Sequence, residues 1–453
     1  MIEKHEIEAK ADEFGIHVSN VERDYVFGWL LCGIYSSPVG NILVLKGGNA
    51  FRKAYFANTR FSNDLDFSTT AAINASVLTN ELNGICDFVE SKTGVAFDKA
   101  RNRIDEKQHS DNERKIYEAR LYFRDFYGNP HTITISVRMD FTEFDRIYLP
   151  IENRFLIHPY SDAGLCKVSI KCQKLEELLA TKLKCLLQRR HSFDLYDYIY
   201  SIFVNTDIAV DRSEIVRTFL KKTIFEPSPG VARGLLLDLP LEVFRAIWTK
   251  YIVCPKQSLI DFDIAITRFK ENVLQLFGGF QVNYYGKIAF FPSTLRNIIM
   301  EAASNLTLIQ LTYDGYTRRV EPYSLVFKRR KDGFGQEYFY AFDQTGGSSG
   351  PGIKAFLHPK IQGLKNTDIP FEPRLPVELS RAGEFAAKSY FGSPFGRFTQ
   401  RVQRIPSYMS RVYIVECAYC RRRFPRKKYS TRLRPHKDNY GNLCYGRSGF
   451  IAY

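Results

Sequence analysis

The chain of 453 residues contains no uninterrupted apolar run of the length a membrane span requires. Its most apolar N-terminal stretch, residues 28–45, is broken by Ser36, Ser37, Pro38 and Asn41, which predicts neither a signal peptide nor an anchor and places the protein in the cytoplasm. A disulfide framework is also lacking. Cys32, Cys86, Cys166, Cys172, Cys185 and Cys254 are scattered, mostly in apolar segments, and read as buried thiols of a reducing compartment. No internal repeat and no obviously disordered segment is present. These absences exclude secreted small scaffolds, membrane proteins and solenoids. What remains, 45% hydrophobic and 25% charged residues, is ordinary for a soluble protein of about two to four domains.

Chemistry concentrates first in residues 45–68. Gly47 and Gly48 follow the apolar run Ile42-Leu-Val-Leu45, and glycine lets backbone amides approach a polyphosphate without a Cβ in the way. Residues 49–55 are predicted to be helical, so the turn would offer amides and a helix start to anionic oxygens. Asp64 and Asp66 stand two apart in a segment of strand character, which puts both carboxylates on one face. Residues 132–139 alternate like a strand and deliver Asp140 on the face of Thr134, Ser136 and Arg138, opposite Ile133, Ile135 and Val137. Three convergent carboxylates suit Mg²⁺, with two ions expected in phosphoryl transfer. A lone glycine pair is usually a turn and a lone acid pair usually a solvated surface; the combination in one strand, turn, helix, strand unit points to nucleotidyl transfer.

Leu175, Leu178, Leu179, Lys182, Leu183, Leu186 and Leu187 fall at helical spacing, so an amphipathic helix carries one lysine on its inner face. A lysine among leucines needs an anion. Either a triphosphate supplies it or a nearby acid, Asp194 or Asp197, does.

Residues 15–205 resemble the AbiEii/AbiGii family of nucleotidyltransferase toxins, a branch of the DNA polymerase β-like superfamily. The resemblance rests on Val21-Glu-Arg-Asp-Tyr-Val26, Lys46-Gly-Gly-Asn-Ala-Phe-Arg52, Arg60-Phe-Ser-Asn-Asp-Leu-Asp-Phe67, Leu175-Glu-Glu-Leu-Leu-Ala-Thr-Lys182 and Asp194-Leu-Tyr-Asp197. It implies that Asp64 and Asp66 are metal ligands, the set that the strand pattern completes with Asp140, and that Lys182 and Asp194 are the remaining catalytic positions. Gly48 and Asn49 would meet the triphosphate, with Lys46, Gly47, Arg52, Arg60 and Ser62 as further nucleotide-binding candidates. Two departures stand out: Asn49 replaces the usual Ser or Thr, and Phe193 replaces the arginine before Asp194. The resemblance further implies a toxin or phage-defence role and a separately encoded antitoxin.

The C-terminus carries different chemistry. Cys417-Ala-Tyr-Cys420 is followed after fifteen residues by His436 and after seven more by Cys444, a soft donor set of the kind tetrahedral Zn²⁺ takes. A redox CxxC would lie at a helix start within a βαβ pattern, which this one does not. Residues 411–453 hold eleven Lys or Arg against two acids, a net of +9 out of +15 for the whole chain. Arg421, Arg422, Arg423, Arg426, Lys427 and Lys428 lie among Phe424, Tyr429, Tyr440 and Tyr445, a mixture suited to phosphate contacts and base stacking. The bland alternative is a solvated basic surface.

Between these ends, residues 211–275 read as helical, with a break near Ser228-Pro-Gly230. A helix over 295–303 precedes a hairpin, 306–313 and 316–320 about Asp314-Gly315, with strands at 323–328 and 337–343. This part resembles the WYL domain, a small Sm-like or SH3-like β-barrel, through Tyr313-Asp-Gly, Arg319-Val-Glu-Pro-Tyr-Ser-Leu325, Tyr338-Phe-Tyr-Ala-Phe-Asp343 and Lys354-Ala-Phe356. The resemblance makes Tyr313, Arg318, Arg319, Tyr340 and Lys354 candidates for binding a nucleotide or nucleic acid; otherwise the aromatics are barrel core. Residues 346–352, rich in glycine and serine, read as a mobile loop.

The expectation is an α+β protein: a polymerase β-like nucleotidyltransferase core (1–210), a helical extension (211–290), a WYL-like barrel (291–380), a linker (381–410) and a basic zinc finger (411–453). It would move NMP from an NTP to an acceptor hydroxyl, with RNA, especially a tRNA 3′ end, favoured over protein. The competing class is a non-enzymatic nucleic-acid-binding regulator built on the barrel and the finger.

Overall fold

The computed structural model describes residues 2–108, 115–124, 134–204, 207–280, 287–375, 377–379, 413–417, 420, 422–426, 433, 435–437, 443–444 and 449–452. They fall into two compact units, one within 1–369 and 373–400, the other within 370–372 and 401–453. The expected linker, 381–410, lies outside the described residues, as do Arg421, Lys427 and Lys428.

The first unit opens with helices α1 (Lys4–Phe14) and α2 (Val18–Tyr35). A seven-stranded sheet follows, made of β1 (Leu43–Lys46), β2 (Asp64–Thr69), β3 (Arg103–Gln108), β4 (Lys115–Arg124), β5 (Thr134–Glu143), β6 (Glu152–Phe155) and β7 (Ser169–Cys172). The order is β3-β4-β5-β2-β1-β7-β6, antiparallel except where β2 meets β5 and β1 meets β7. Strand alternation decides what each face does. Leu65, Phe67, Ala119, Leu121, Val137, Met139 and Phe141 are buried on one face, where Phe67 and Phe141 stack at 5.2 Å. Helices α2 and α4 (Ala75–Thr93) pack against each other, α2 also touching β5 and β7 and α4 touching β3. Asn74 caps α4 by accepting from the amides of Ser76 and Val77, and Gly94 ends it at φ 72°. The other face carries Asp64, Asp66, Arg138 and Asp140.

Between β1 and β2 lies α3 (Gly47–Ala50), which continues as a π turn over Phe51–Tyr55. The helix therefore begins at Gly47, two residues before the expected start, and the glycine pair is its first turn. After β7 come α5 (Leu175–Gln188), α6 (Ser192–Ile199), α7 (Arg212–Lys222), α8 (Pro229–Leu237), α9 (Trp248–Tyr251) and α10 (Phe262–Leu276). One hydrophobic core runs through all of this from Ile2 to Ile288, with Trp29, Trp248, Phe219 and Phe269 near its heart.

A second sheet contains β8 (Ile288–Ala289), β9 (Thr307–Tyr313), β10 (Tyr316–Arg329), β11 (Gly335–Asp343), β12 (Gly352–Leu357) and β13 (Ile361–Pro370), in the order β12-β11-β10-β9-β13 with β8 beside β11. Helix α11 (Ser293–Asn305) touches β9 and β10, and a separate core gathers Phe291, Ile299, Leu311, Leu325, Phe339 and Phe356. The two strands expected at 316–320 and 323–328 are one strand, β10. Pro322 does not end it because a register shift between Pro322 and Ser324 accommodates a residue with no N–H to donate. This sheet is tied to the helices by Arg296, whose guanidinium donates to the carbonyls of Leu187 (2.6 Å) and Phe291 (3.1 Å) and pairs with buried Glu337 at 2.6 Å. Gln188 adds a bond to the Leu325 carbonyl at 2.7 Å.

The second unit has a sheet of β14 (Tyr413–Cys417) between β15 (Arg423–Arg426) and β18 (Gly449–Ala452), and a hairpin of β16 (His436–Lys437) with β17 (Leu443–Cys444). Among the described residues no helix is long and apolar enough to cross a membrane.

Candidate active site and candidate metal centres

Strand register brings the three acids together. Asp66 faces Asp140 across the β2–β5 pair and Lys46 across the β1–β2 pair. Carboxylate oxygens of Asp64, Asp66 and Asp140 all lie within 4.8 Å of one another. Burial and the charges of Asp64 and Asp140 push the Asp66 carboxyl up to about 7. Asp140 is likewise raised, by burial first, although Arg138 grips it through Nε at 3.2 Å and through Nη2. The three carboxylates form an all-oxygen donor set of the kind a hard divalent cation such as Mg²⁺ takes, which would relieve the crowding of charge on Asp66 and Asp140.

The glycine turn closes over this cluster. Gly47 has φ +68°, and a Cβ there would lie 2.1 Å from Asp66 Oδ2. A Cβ on Gly48 would lie 2.6 Å from Ser62 Oγ and 2.7 Å from Arg60 Nη2. Ser62 in turn donates to Asp64 at 3.2 Å, and Lys46 pairs with Asp145 at 2.7 Å, which also accepts from Ser68 at 3.2 Å. Asn49 departs from the expected role. Its side chain is 1% exposed and donates to the Asp64 carbonyl, because the early helix start turns it toward β2. It steadies the acid strand, and among the described residues its Oδ1 has no hydrogen-bond partner.

Arg52 is also corrected. It is 2% exposed, bonded to Asp24 at 2.6 Å and to the carbonyls of Ala57 and Thr59 at 2.8 Å, with Phe61 stacked 3.6 Å beneath it. All of this holds the turn after the helix and commits four of the five guanidinium N–H groups to the interior. The next residue, Lys53, went unnoticed in the sequence; it is fully buried and pairs with the same Asp24 at 2.9 Å. Arg52 and Lys53 hold Asp24 well below the usual carboxylate range against the opposing effect of burial.

Behind Gly48 lies a buried ion network. Arg60 forks onto Asp197 at 2.6 and 2.7 Å, Lys182 bridges Asp194 (2.9 Å) and Asp197 (2.8 Å), and Arg189 forks onto Asp194 at 2.7 and 2.9 Å. Of the two partners weighed for Lys182, the acids are present. Lys182 and Asp194 therefore act on each other in the interior, since Asp194 is wholly buried. Burial opposes ionisation of Asp194, but Arg189 and Lys182 together hold its pKa far down. The network also explains Phe193: its ring lies 4.4 Å under the Arg60 guanidinium, while Arg189, three residues before Ser192, supplies the cation for Asp194. Arg189 escaped the sequence reading; it follows the last residue of α5 in an extended conformation and folds back onto Asp194.

In the second unit, Cys417 ends β14, and His436 and Cys444 are cross-strand partners. Cys417 Sγ lies 3.8 Å from Cys444 Sγ and Cys420 Sγ lies 3.3 Å from His436 Nε2, with all four donor atoms within 4.8 Å of one another. A tetrahedron of thiolates about 2.3 Å from zinc has edges of roughly 3.8 Å, so the spacing fits. Arg422 is exposed; Arg423 and Arg426 lie in β15. In the second sheet, Arg318 (2.7 Å) and Lys354 (3.0 Å) both bind Asp343, which also caps the amides of Thr345 and Gly346, so these two candidates anchor the glycine loop. Tyr313 meets Phe356 edge-on at 5.0 Å, in the core, whereas Tyr340 has Lys328 Nζ 5.3 Å from its ring and Arg319 is exposed.

A mixed sheet with paired acids on adjacent strands and a glycine turn beside them defines a nucleotidyl-transfer enzyme. The profile of the family described as "Nucleotidyl transferase AbiEii toxin, Type IV TA system" matches residues 29–258, half of the chain, and the chain belongs to that family. Among solved structures, MenT4, a nucleotidyltransferase toxin from Mycobacterium tuberculosis H37Rv, is similar at 17% identity and a TM-score of 0.38, over 61% of this chain and 88% of that one. No curated protein matches.

Proposed function

We propose that this nucleotidyltransferase moves NMP from an NTP to a hydroxyl of RNA, with a tRNA 3′ end as the favoured acceptor, and that it acts as a toxin or phage-defence effector restrained by a cognate antitoxin. The observation that carries the transfer reading is the meeting of Asp64, Asp66 and Asp140 within 4.8 Å beside the Gly47 turn. Asp64, Asp66 and Asp140 would hold Mg²⁺, which when bound supplies charge neutralisation for the triphosphate and the entering oxygen. Backbone amides of Gly47, Gly48 and Asn49 would cradle phosphate oxygens, with Lys46 and Ser62 at the rim. The acceptor oxygen attacks the α-phosphorus, the bond to the β-phosphate oxygen breaks, pyrophosphate leaves, and the hydroxyl proton passes to Asp140. Arg60, Lys182, Arg189, Asp194 and Asp197 are positioning residues for Gly48 and the acid strand.

The second sheet is read as a WYL-like module and the second unit as a zinc-stabilised basic finger that holds nucleic acid. Its metal ligands would be Cys417, Cys420, His436 and Cys444, and its phosphate contacts Arg421, Arg422, Arg423, Arg426, Lys427 and Lys428. The deciding experiment incubates the full chain, Asp64→Ala and Asp66→Ala with each α-³²P-labelled NTP, Mg²⁺ and total cellular RNA. Label in RNA lost in both variants supports the reading; label in protein alone, or none, overturns the RNA acceptor.

A further inference from the structure

The strand register that assembles the acids also lays out a row of arginines leading away from them. Asp64 pairs with Arg138, Arg138 with Arg120 and Arg120 with Arg103, so three guanidinium-bearing positions follow Asp64 across β5, β4 and β3 on one face. Neighbouring strands lie about 4.8 Å apart, giving the row a span of roughly 10 Å. In the adjacent row stand Asp66, Asp140, Glu118 and Asp105.

Glu118 organises the cations. Only 4% exposed, it accepts from Arg120 at 2.7 and 2.8 Å, binds Lys107, and lies 3.6 Å from Arg138. Burial disfavours its charge, yet Lys107, Arg138 and Arg120 bring it down to about 2, so it is ionised at any physiological pH. One carboxylate thus gathers three cations, while Asp140 also holds Arg138. Arg103 has Asp105 at 3.5 Å, both half-exposed, and beyond it Arg101 stacks on Tyr122 at 4.5 Å. Burying a carboxylate is costly unless it is well paired; here it fixes Arg120 and Arg138 of the row, with Lys107 beside them.

We propose that this face is the acceptor track: the single-stranded 3′ end of an RNA crosses β3, β4 and β5, its phosphates on Arg103, Arg120 and Arg138 and a base against Tyr122, and reaches the triad with its terminal hydroxyl. A line of cations matches a linear polyanion, whereas a nucleoside triphosphate is already met by the glycine turn. The inference rests on the RNA-acceptor reading above and adds where that strand lies.

The test uses the full chain with Arg103→Gln, whose exposed side chain can be lost without disturbing the core, and Arg120→Gln as a second variant. Label transfer to RNA is measured against RNA, NTP and salt concentration. Expected for each variant is an acceptor KM raised about three- to tenfold, a log–log salt slope shallower by about 0.7 per lost phosphate contact, and an unchanged KM for the NTP. Wild-type labelling of RNA with both acceptor KM and slope unchanged in Arg103→Gln overturns the track alone. Failure of the wild type to label RNA overturns the acceptor reading and the track together.

Discussion

A Cβ placed on Gly47 would sit 2.1 Å from Oδ2 of Asp66, so the turn and the acid strand interlock at one missing atom. Gly47→Ala must therefore displace the carboxylate as well as tolerate φ +68°, a backbone cost of about 1 kcal/mol. Nucleotide incorporation is expected to fall about 100-fold or more, with a native far-UV circular dichroism spectrum and only a modest drop in Tm.

The raised Asp66 carboxyl makes the metal-free protein sensitive to pH. Between the ordinary value near 3.8 and about 7 the folded state holds a proton that the unfolded chain has lost, so stability falls as pH rises through that window. The cost of ionising the site is roughly 2–4 kcal/mol. Asp66→Asn should raise Tm at pH 7.5 in chelator, leave it nearly unchanged at pH 4.5, and abolish transfer. Equal shifts at both pH values would contradict the linkage.

The network behind Gly48 has three cations on two acids. Asp197→Asn removes the charge that Arg60 and Lys182 share and is expected to cost about 3–5 kcal/mol in denaturant unfolding. A loss below 1 kcal/mol would mean that Arg60 and Lys182 find new partners.

The Cys417, Cys420, His436 and Cys444 cluster should bind one zinc per chain. Elemental analysis after purification without added metal measures this directly, and Co²⁺ substitution should give intense thiolate charge-transfer absorption. Cys444→Ser is expected to lower zinc content and RNA affinity while sparing the integrity of the first unit; full occupancy in that variant would exclude the donor set.

Local periodicity made much of this legible. Alternation placed Asp140 on the polar face of its strand, the Asp64–Asp66 spacing fixed both carboxylates on one side, and Asp314-Gly315 marked the hairpin between β9 and β10. Ion pairing across long separations was not legible. Arg60 and Asp197 stand 137 residues apart and Arg52 and Asp24 stand 28 apart, and nothing in either local pattern says whether an arginine faces a nucleotide or an interior acid. The Asn49 side chain was misjudged because its role depends on a helix start two residues early, and the strands at 316–320 and 323–328 were split because a bulge lets one strand pass through Pro322.

The grip of Arg296 on the Leu187 carbonyl bears on where this chain could be cut into parts. The stretch that carries the family signature stops at residue 258, yet Phe262, Phe269 and Phe277 fill the same interior, and Arg296 and Gln188 stitch the following sheet to the end of the helix that bears Lys182. A truncation at the end of that stretch would cut through a hydrophobic interior and remove a buried guanidinium from its partners. The second sheet and the catalytic half are thus joined physically as one piece, and separating them at residue 258 would expose that interior.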